Sequence, residues 1–239
     1  MKGIAPKPNI SKTMAKAATE SAKFASSPAQ VLILCNGEPP GKELLFRHWN
    51  ASDLQIAADG GANFLESHGL KPKIIIGDLD SLDDHIRSGV SPDSIVHVEE
   101  QQTNDADKAI RYCLEKGAKS VHLLGAAGKR LDQFLANLEV MHKYSSRLRI
   151  ILWTETEQME FISGQWQESL EEGTVVSMLP LFGGAKGITT TGLTFPLHGQ
   201  SLEPGGIPCG VSNKVDLSPV KINVSEGKLL LVVNHQFAE

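Results

Sequence analysis

Six short, largely apolar runs, at 31–35, 55–58, 74–76, 94–98, 120–124 and 149–153, recur along the chain up to Trp153, four of them (31–35, 55–58, 74–76 and 120–124) leading into Gly-containing turns. Their length and β-branched content predict strands. Helical segments alternate with them: 43–49, 64–68 stopping at Gly69, a polar stretch near 83–87, and 106–116 with Ala109, Ile110, Cys113 and Leu114 on one face before Gly117. A further helix carries Phe134, Leu138 and Met141 on its packing side. Strict alternation of this kind predicts a parallel, doubly wound α/β sheet. After about Thr154 the pattern changes to short strands at 159–164, 174–180, 187–191, 220–224 and 228–233, separated by Gly-, Pro- and Ser-rich turns. No helix-length period interrupts them, so a second, all-β unit, a small sandwich, is expected, with 192–213 as a long polar loop. The expected organisation is an N-terminal extension over 1–30, poorly ordered, an α/β domain over 31–155 and a β domain over 156–239.

Chemistry concentrates where the predicted strands end. The run at 74–76 turns through Gly77 into Asp78 and Asp80, two carboxylates spaced i, i+2 at the address where α/β sheets bind ligands. Two such acids repel unless a cation compensates, which suggests a metal-bound phosphate ester or anhydride. Solvated carboxylates on an ordinary turn account equally well for this stretch taken alone. Asp59-Gly60-Gly61 after the second strand can present backbone N–H groups to phosphate or ribose, or serve as a plain tight turn. Asp105 and Lys108, three apart, are neighbours on the first turn of a helix, where Asn104 or Asp105 can also act as a simple N-cap. The segment Gly125-Ala126-Ala127-Gly128-Lys129-Arg130 is too short for a Walker loop and lacks its hydroxyl, but it presents Arg130, whose planar fork suits phosphate, just before Asp132 and Gln133.

Composition narrows the partners. At 239 residues and 41% hydrophobic content the chain can bury one large core or two modest ones. A formal charge of -5 gives no basic footprint for nucleic acid. No apolar run approaches membrane-span length. Three cysteines, Cys35, Cys113 and Cys209, stand far apart without metal-ligand spacing, which fits a reducing cytoplasm. The 1–30 segment lacks the apolar core of a secretory signal. The architecture expected from these patterns is a Rossmann-like α/β domain followed by a β-sandwich.

Taken in register, Ala58-Asp59-Gly60-Gly61-Ala62-Asn63, Gly77-Asp78-Leu79-Asp80-Ser81, Asn104-Asp105-Ala106-Asp107-Lys108-Ala109, the 125–133 segment and Gly210-Val211-Ser212-Asn213 resemble the thiamine pyrophosphokinase family, from about Val31 onward. The resemblance implies an α/β catalytic domain and a β-sandwich in a homodimer with thiamine pockets at the subunit interface. It implies transfer of a diphosphoryl group from ATP to thiamine, giving thiamine diphosphate and AMP. It also implies Mg2+ held by Asp78, Asp80 and Asp105, with Lys108 and Arg130 meeting the phosphates. Asp59, Gly60, Gly61 and Asn104 are its nucleotide contacts, and Asp132, Gln133, Ser212 and Asn213 its thiamine contacts. Three departures stand out. Asn104 occupies a position where many members carry Thr, Lys129 replaces a usual Gly, and no aromatic residue follows Ser212-Asn213 over Lys214-Val215-Asp216-Leu217. Two rival readings are a haloacid-dehalogenase-like phosphatase using Asp78 as nucleophile, in which Leu82 would stand where that motif wants Thr or Val, and a non-catalytic thiamine- or nucleotide-binding protein.

Overall fold

A computed structural model describes residues 27–206 and 210–235. The expected N-terminal extension lies outside the described residues as far as 26. From Ala29 the backbone is already tied down: Ala29 and Gln30 N–H donate to Asp53 Oδ2 at 2.9 and 3.1 Å.

Strands β1 (Gln30–Leu34), β2 (Leu54–Ala58), β3 (Ile74–Gly77), β4 (Ile95–His97), β5 (Ser120–Leu124) and β6 (Arg149–Trp153) run parallel in the order β4-β3-β2-β1-β5-β6. The winding direction therefore reverses between β1 and β5. Helices cover both faces, as the alternating pattern predicts. On one face α1 (Lys42–Ala51), α2 (Gly61–Ser67) and α3 (Asp84–Gly89) pack Leu44, Leu45, Leu65 and Ile86 on Leu32, Leu34, Ala57 and Ile75. On the other, α4 (Asp105–Glu115) and α5 (Leu131–Tyr144) pack Ile110, Cys113, Leu138 and Met141 on Ile33, Ile56, Ile76 and Leu123. Strand residues alternate between the two cores because successive side chains point to opposite faces.

The later strands are antiparallel: β7 (Glu157–Glu168), β8 (Val175–Leu179), β9 (Ala185–Thr191), β10 (His198–Leu202), β11 (Asn213–Lys214) and β12 (Val220–Asn234). They have a core of their own, in which Trp166, Val176, Ile188, Ile222 and Leu231 are buried. Their hydrogen bonds nevertheless continue the first sheet, because β6 pairs β7 at Ile151 and Glu160, and β7 pairs β12 along most of its length. Strand β12 is one element where the sequence suggests two. The Ser225-Glu226-Gly227 turn signal is a register irregularity between Val224 and Leu229, not a chain reversal. As far as Gly227 β12 also pairs β9, and from Leu230 it pairs β8. Strand β10 falls in the segment expected to be loop. It is an edge strand with four of its five residues exposed, so it lacks the apolar alternation that marks a strand.

Candidate functional site

Strands β2 and β3 are adjacent, so the residues that leave their carboxyl ends meet. Carboxylate oxygens of Asp59, Asp78 and Asp80 lie within 4.8 Å of one another. Backbone geometry makes this possible. Leu79 between the two later acids has φ 66°, which turns Asp78 and Asp80 to the same side, and Asp59 has φ 44°. Among the described residues only Asp59, Leu79, Lys129 and Ser212 are non-glycine residues with positive φ, and each lies in one of the motifs singled out above. Such conformations cost of order 1–3 kcal/mol and persist where surrounding structure imposes them, often at functional sites.

The acids differ in environment. Asp59 is buried, and its Oδ1 has no hydrogen-bond partner. Burial pushes its carboxyl above the usual range, against the opposing effect of Ser81 and the Gly60 backbone, and the charges of Asp105 and Asp80 add to the rise. Asp78 accepts from Gln101 Nε2 at 2.7 Å and from the Asp80 N–H at 3.3 Å. The Gln101 amide is the main reason that Asp78 titrates below the usual range, with Lys108 assisting.

Lys108 is 2% exposed, with Nζ 2.9 Å from Asp105 Oδ1 and 4.0 Å from Asp78 Oδ2. A buried ammonium persists only when paired, and here the partners are the site's own acids. Gly77 is where the walls close. A Cβ there would sit 3.0 Å from Asp59 Cβ and 3.3 Å from Asp105 Oδ1, so a side chain would push the acids apart. Asp105 is thus at the cluster's edge with its Oδ1 bonded to Lys108. Asn104 caps α4 by accepting from the Asp107 N–H at 2.9 Å, and its amide donates to Asn137 Oδ1 at 2.8 Å. Asn137 in turn donates to Ala126 O at 2.7 Å, so this cap links α4 to the loop after β5.

The other expected residues lie elsewhere. Gly60 and Gly61 open α2, and Asn63 of that helix donates to Ser81 O at 2.9 Å, fastening it to the acidic loop. Arg130 and Asp132 are both exposed and form an ion pair with each other at 2.5 Å, and Gln133 follows Asp132 in the first turn of α5. Ser212 and Asn213 are at β11, and seven ladder steps separate its partner β8 from β3. That loop thus belongs to the antiparallel part of the sheet, not to the carboxyl ends of the parallel strands that carry the acids. The Asn213 amide is occupied locally: Oδ1 accepts from Phe195 N at 3.0 Å and Lys214 N at 2.9 Å, and Nδ2 donates to Phe195 O at 2.7 Å. Sequence reasoning did not place Asp59 among the clustered acids, nor Gln101 beside Asp78. Asp59 had a usable signal, an acid directly at a strand's carboxyl end, whereas Gln101 in its polar loop had none.

Burial, with Asp105 adding to it, pushes Cys35 up to about 12. Among the described residues no helix is long and apolar enough to cross a membrane.

Fold and site together define an α/β protein with clustered carboxylates and a buried lysine at the carboxyl edge of its parallel sheet. Residues 45–152 match the family model "Thiamin pyrophosphokinase, catalytic domain" and residues 165–229 match "Thiamin pyrophosphokinase, vitamin B1 binding domain". The chain belongs to the thiamine pyrophosphokinase family. It is 26% identical over 185 residues to the thiamine pyrophosphokinase of Bacillus subtilis, covering 75% of this chain and 86% of that protein. With thiamine pyrophosphokinase 1 of Oryza sativa subsp. japonica the identity is 25% over 239 residues, covering 88% of each. Among solved structures, the thiamin pyrophosphokinase of Geobacillus thermodenitrificans superposes with a TM-score of 0.75 at 25% identity, covering 87% of this chain and 99% of that one. The Bacillus subtilis structure gives a TM-score of 0.76 at 22% identity, covering 87% and 100%.

Proposed function

We propose that this chain transfers a diphosphoryl group from ATP to the hydroxyl of thiamine, releasing AMP. The observation that carries this reading is the three-acid cluster with one orphaned buried oxygen beside a buried lysine, in a chain of this family.

An all-oxygen donor set, one member of it lacking any partner, suits a hard divalent cation such as Mg2+. Asp59, Asp78 and Asp80 would hold it, with Asp105 alongside. When bound, Mg2+ neutralises charge on the triphosphate. The chain's own groups do the rest. Lys108 directs positive charge toward the phosphates from a position fixed by Asp105, so little reorganisation accompanies transfer. Asp78, kept ionised by Gln101, or Asp80 beside it, is placed to accept the hydroxyl proton. The rival reading in which Asp78 attacks phosphorus is not favoured, because the chain matches the thiamine pyrophosphokinase family over both of its parts.

Thiamine is a cation with an aromatic ring, and calls for an acceptor and an aromatic surface. Asp132 and Gln133 provide the polar contacts. Ser212 provides another, and the exposed ring of Phe195, whose backbone the Asn213 amide clamps on both sides, provides the surface missing after Asn213. Because the Ser212 loop belongs to the antiparallel part of the sheet, a complete site takes this loop from a second copy, in a cytoplasmic homodimer.

Incubation with ATP, Mg2+ and thiamine, with the nucleotides resolved, tests the proposal. AMP and thiamine diphosphate should form in equal amounts. ADP in their place would refute diphosphoryl transfer, and tight binding of both substrates without AMP would make the chain a binding protein.

A further inference from the structure

Asp78 takes one of its hydrogen bonds from a loop that carries none of the clustered acids. The Gln101 amide, between β4 and α4, donates to Asp78 Oδ2 at 2.7 Å. Gln101 is exposed, and a loop side chain keeps one geometry only where other contacts offset the entropy of ordering it. Those contacts converge on one residue of α4. Arg111 Nη2 donates to Glu100 Oε2 at 3.1 Å and to Thr103 Oγ1 at 3.4 Å, so it grips the loop on both sides of Gln101. Glu100 also accepts from Thr103 Oγ1 at 2.8 Å and from the Gln102 N–H.

Arg111 is itself held. Its Nε lies 3.0 Å from Asp107 Oδ2, one turn back on the helix, and Asp107 Oδ1 accepts from Lys143 Nζ at 2.8 Å and Tyr144 Oη at 3.0 Å on α5. Two acids and two cations therefore alternate from the loop across α4 to α5, in the order Glu100, Arg111, Asp107, Lys143. The guanidinium fork is the member that can span both acids at once. The side chains of Glu100 and Arg111 are 17% and 23% exposed, so water screens their pair only in part. Against its burial, the hydrogen bonds of Thr103 and the Gln102 N–H, joined by Arg111, hold the Glu100 carboxyl below the usual range. A pair between Asp107 and Arg111 alone would serve only the helix, and the arm to Glu100 extends it to the site.

We infer that Arg111 is a positioning residue: by tying Glu100 and Thr103 to α4 it sets the Gln101 amide against Asp78, and so fixes the direction of that carboxylate. The inference rests on the reading of the acids as a cation site for diphosphoryl transfer, proposed above. The same helix begins with Asp105 and carries Lys108, so one rigid element places the site's lysine directly and its β3 carboxylate through the loop. Partners that orient a metal-binding group in this way are usually worth about 10- to 100-fold in metal affinity or activity.

The test reads the Gln101 side-chain amide by proton–nitrogen NMR of the full chain, its resonances assigned by their loss in Gln101→Ala. Arg111→Met should move them toward the position of a free glutamine amide, as Asp78→Asn should, and Arg111→Lys should keep part of the displacement. By calorimetry, Mg2+ alone should bind about tenfold more weakly to Arg111→Met than to wild type. Turnover should fall on the same scale with the KM for thiamine unchanged. Placed in Gln101→Ala, Arg111→Met should cost nothing further in kcat, because a residue that acts through Gln101 then has nothing left to act on. Unmoved Gln101 resonances in Arg111→Met, or losses that add in the double variant, overturn the inference and leave an ion pair that serves stability alone. If Arg111→Met does not fold, Glu100→Gln, which keeps the shape and removes the charge that the guanidinium grips, is read by the same criteria. If the resonances move but the wild type makes no thiamine diphosphate, the positioning of Gln101 stands and the kinetic expectations fall with the proposed function.

Discussion

Lys108 can be buried because it stands three positions after Asp105 on the same helix, within reach of that carboxylate, with Asp78 nearby at the end of β3. Replacing it with Met keeps the volume and removes the charge. Turnover should fall by at least about 10²-fold, the usual scale for losing a preorganised electrostatic contact, while circular dichroism shows the fold retained. Asp59 gives a sharper test, because its burial opposes ionisation and its neighbours are acidic. Asp59→Asn should melt at or above the wild-type temperature without metal, yet lose the upward shift that Mg2+ gives the wild type; an equal Mg2+ shift in both would remove Asp59 from the cation site. Residues such as Asp78, Asp80 and Lys108 were legible in the sequence because strand ends and helical spacing bring them together locally. The proximity of Asp59 to Asp78 was not, since it follows from β2 lying beside β3, a fact of topology that no local pattern encodes.

At the level of elements, the first turn of α4 does two jobs. Asn104 caps the helix through its oxygen and reaches Asn137, and through it the loop after β5, with its amide. Asn104→Ala should lower unfolding free energy by about 1–2 kcal/mol in urea titrations, a cap's usual worth, and should loosen the link between α4 and the loop after β5. A loss of activity with no loss of stability would instead point to direct nucleotide contact by Asn104. The helices and parallel strands were readable from apolar period and Gly stops. Strand β10 was missed because an exposed edge carries no apolar alternation, and β12 was split because a Ser-Glu-Gly bulge has the composition of a turn.

Across the whole molecule, two features lie away from the acids. His48, His122 and Trp153 pack together under α1, with His48 and His122 ring centres 5.1 Å apart and Trp153 Nε1 donating to His122 Nδ1 at 3.0 Å. Burial, joined by His122 and Arg47, lowers His48 to about 4, and burial with Arg149 lowers His122 to about 4. Both rings are neutral when folded and would take up protons on unfolding, so their contribution is full above pH 6.5 and is lost as pH falls toward 4. Melting temperature should drop through that window, and His122→Gln should flatten the drop. The second feature is the place of Ser212 beside β11, in the antiparallel part of the sheet, apart in strand order from the acids. Asp80→Asn and Ser212→Trp should each be inactive, and mixing them under conditions that exchange subunits should restore activity by assembling one intact site; no recovery would argue that each chain works alone.

Strand β12 has a consequence for how the chain comes off the ribosome. It lies between β7 on one side and β8 and β9 on the other, yet it follows all three in order of synthesis. Until it emerges, none of the three is joined to the others, and β7 can dock only on β6. The nascent β half must therefore wait with open edges for its central strand, a non-local closure of the kind that folds slowly and invites chaperone capture. A chain stalled before Val220 should accordingly be cut rapidly by protease after Trp153 while the parallel sheet behind it resists.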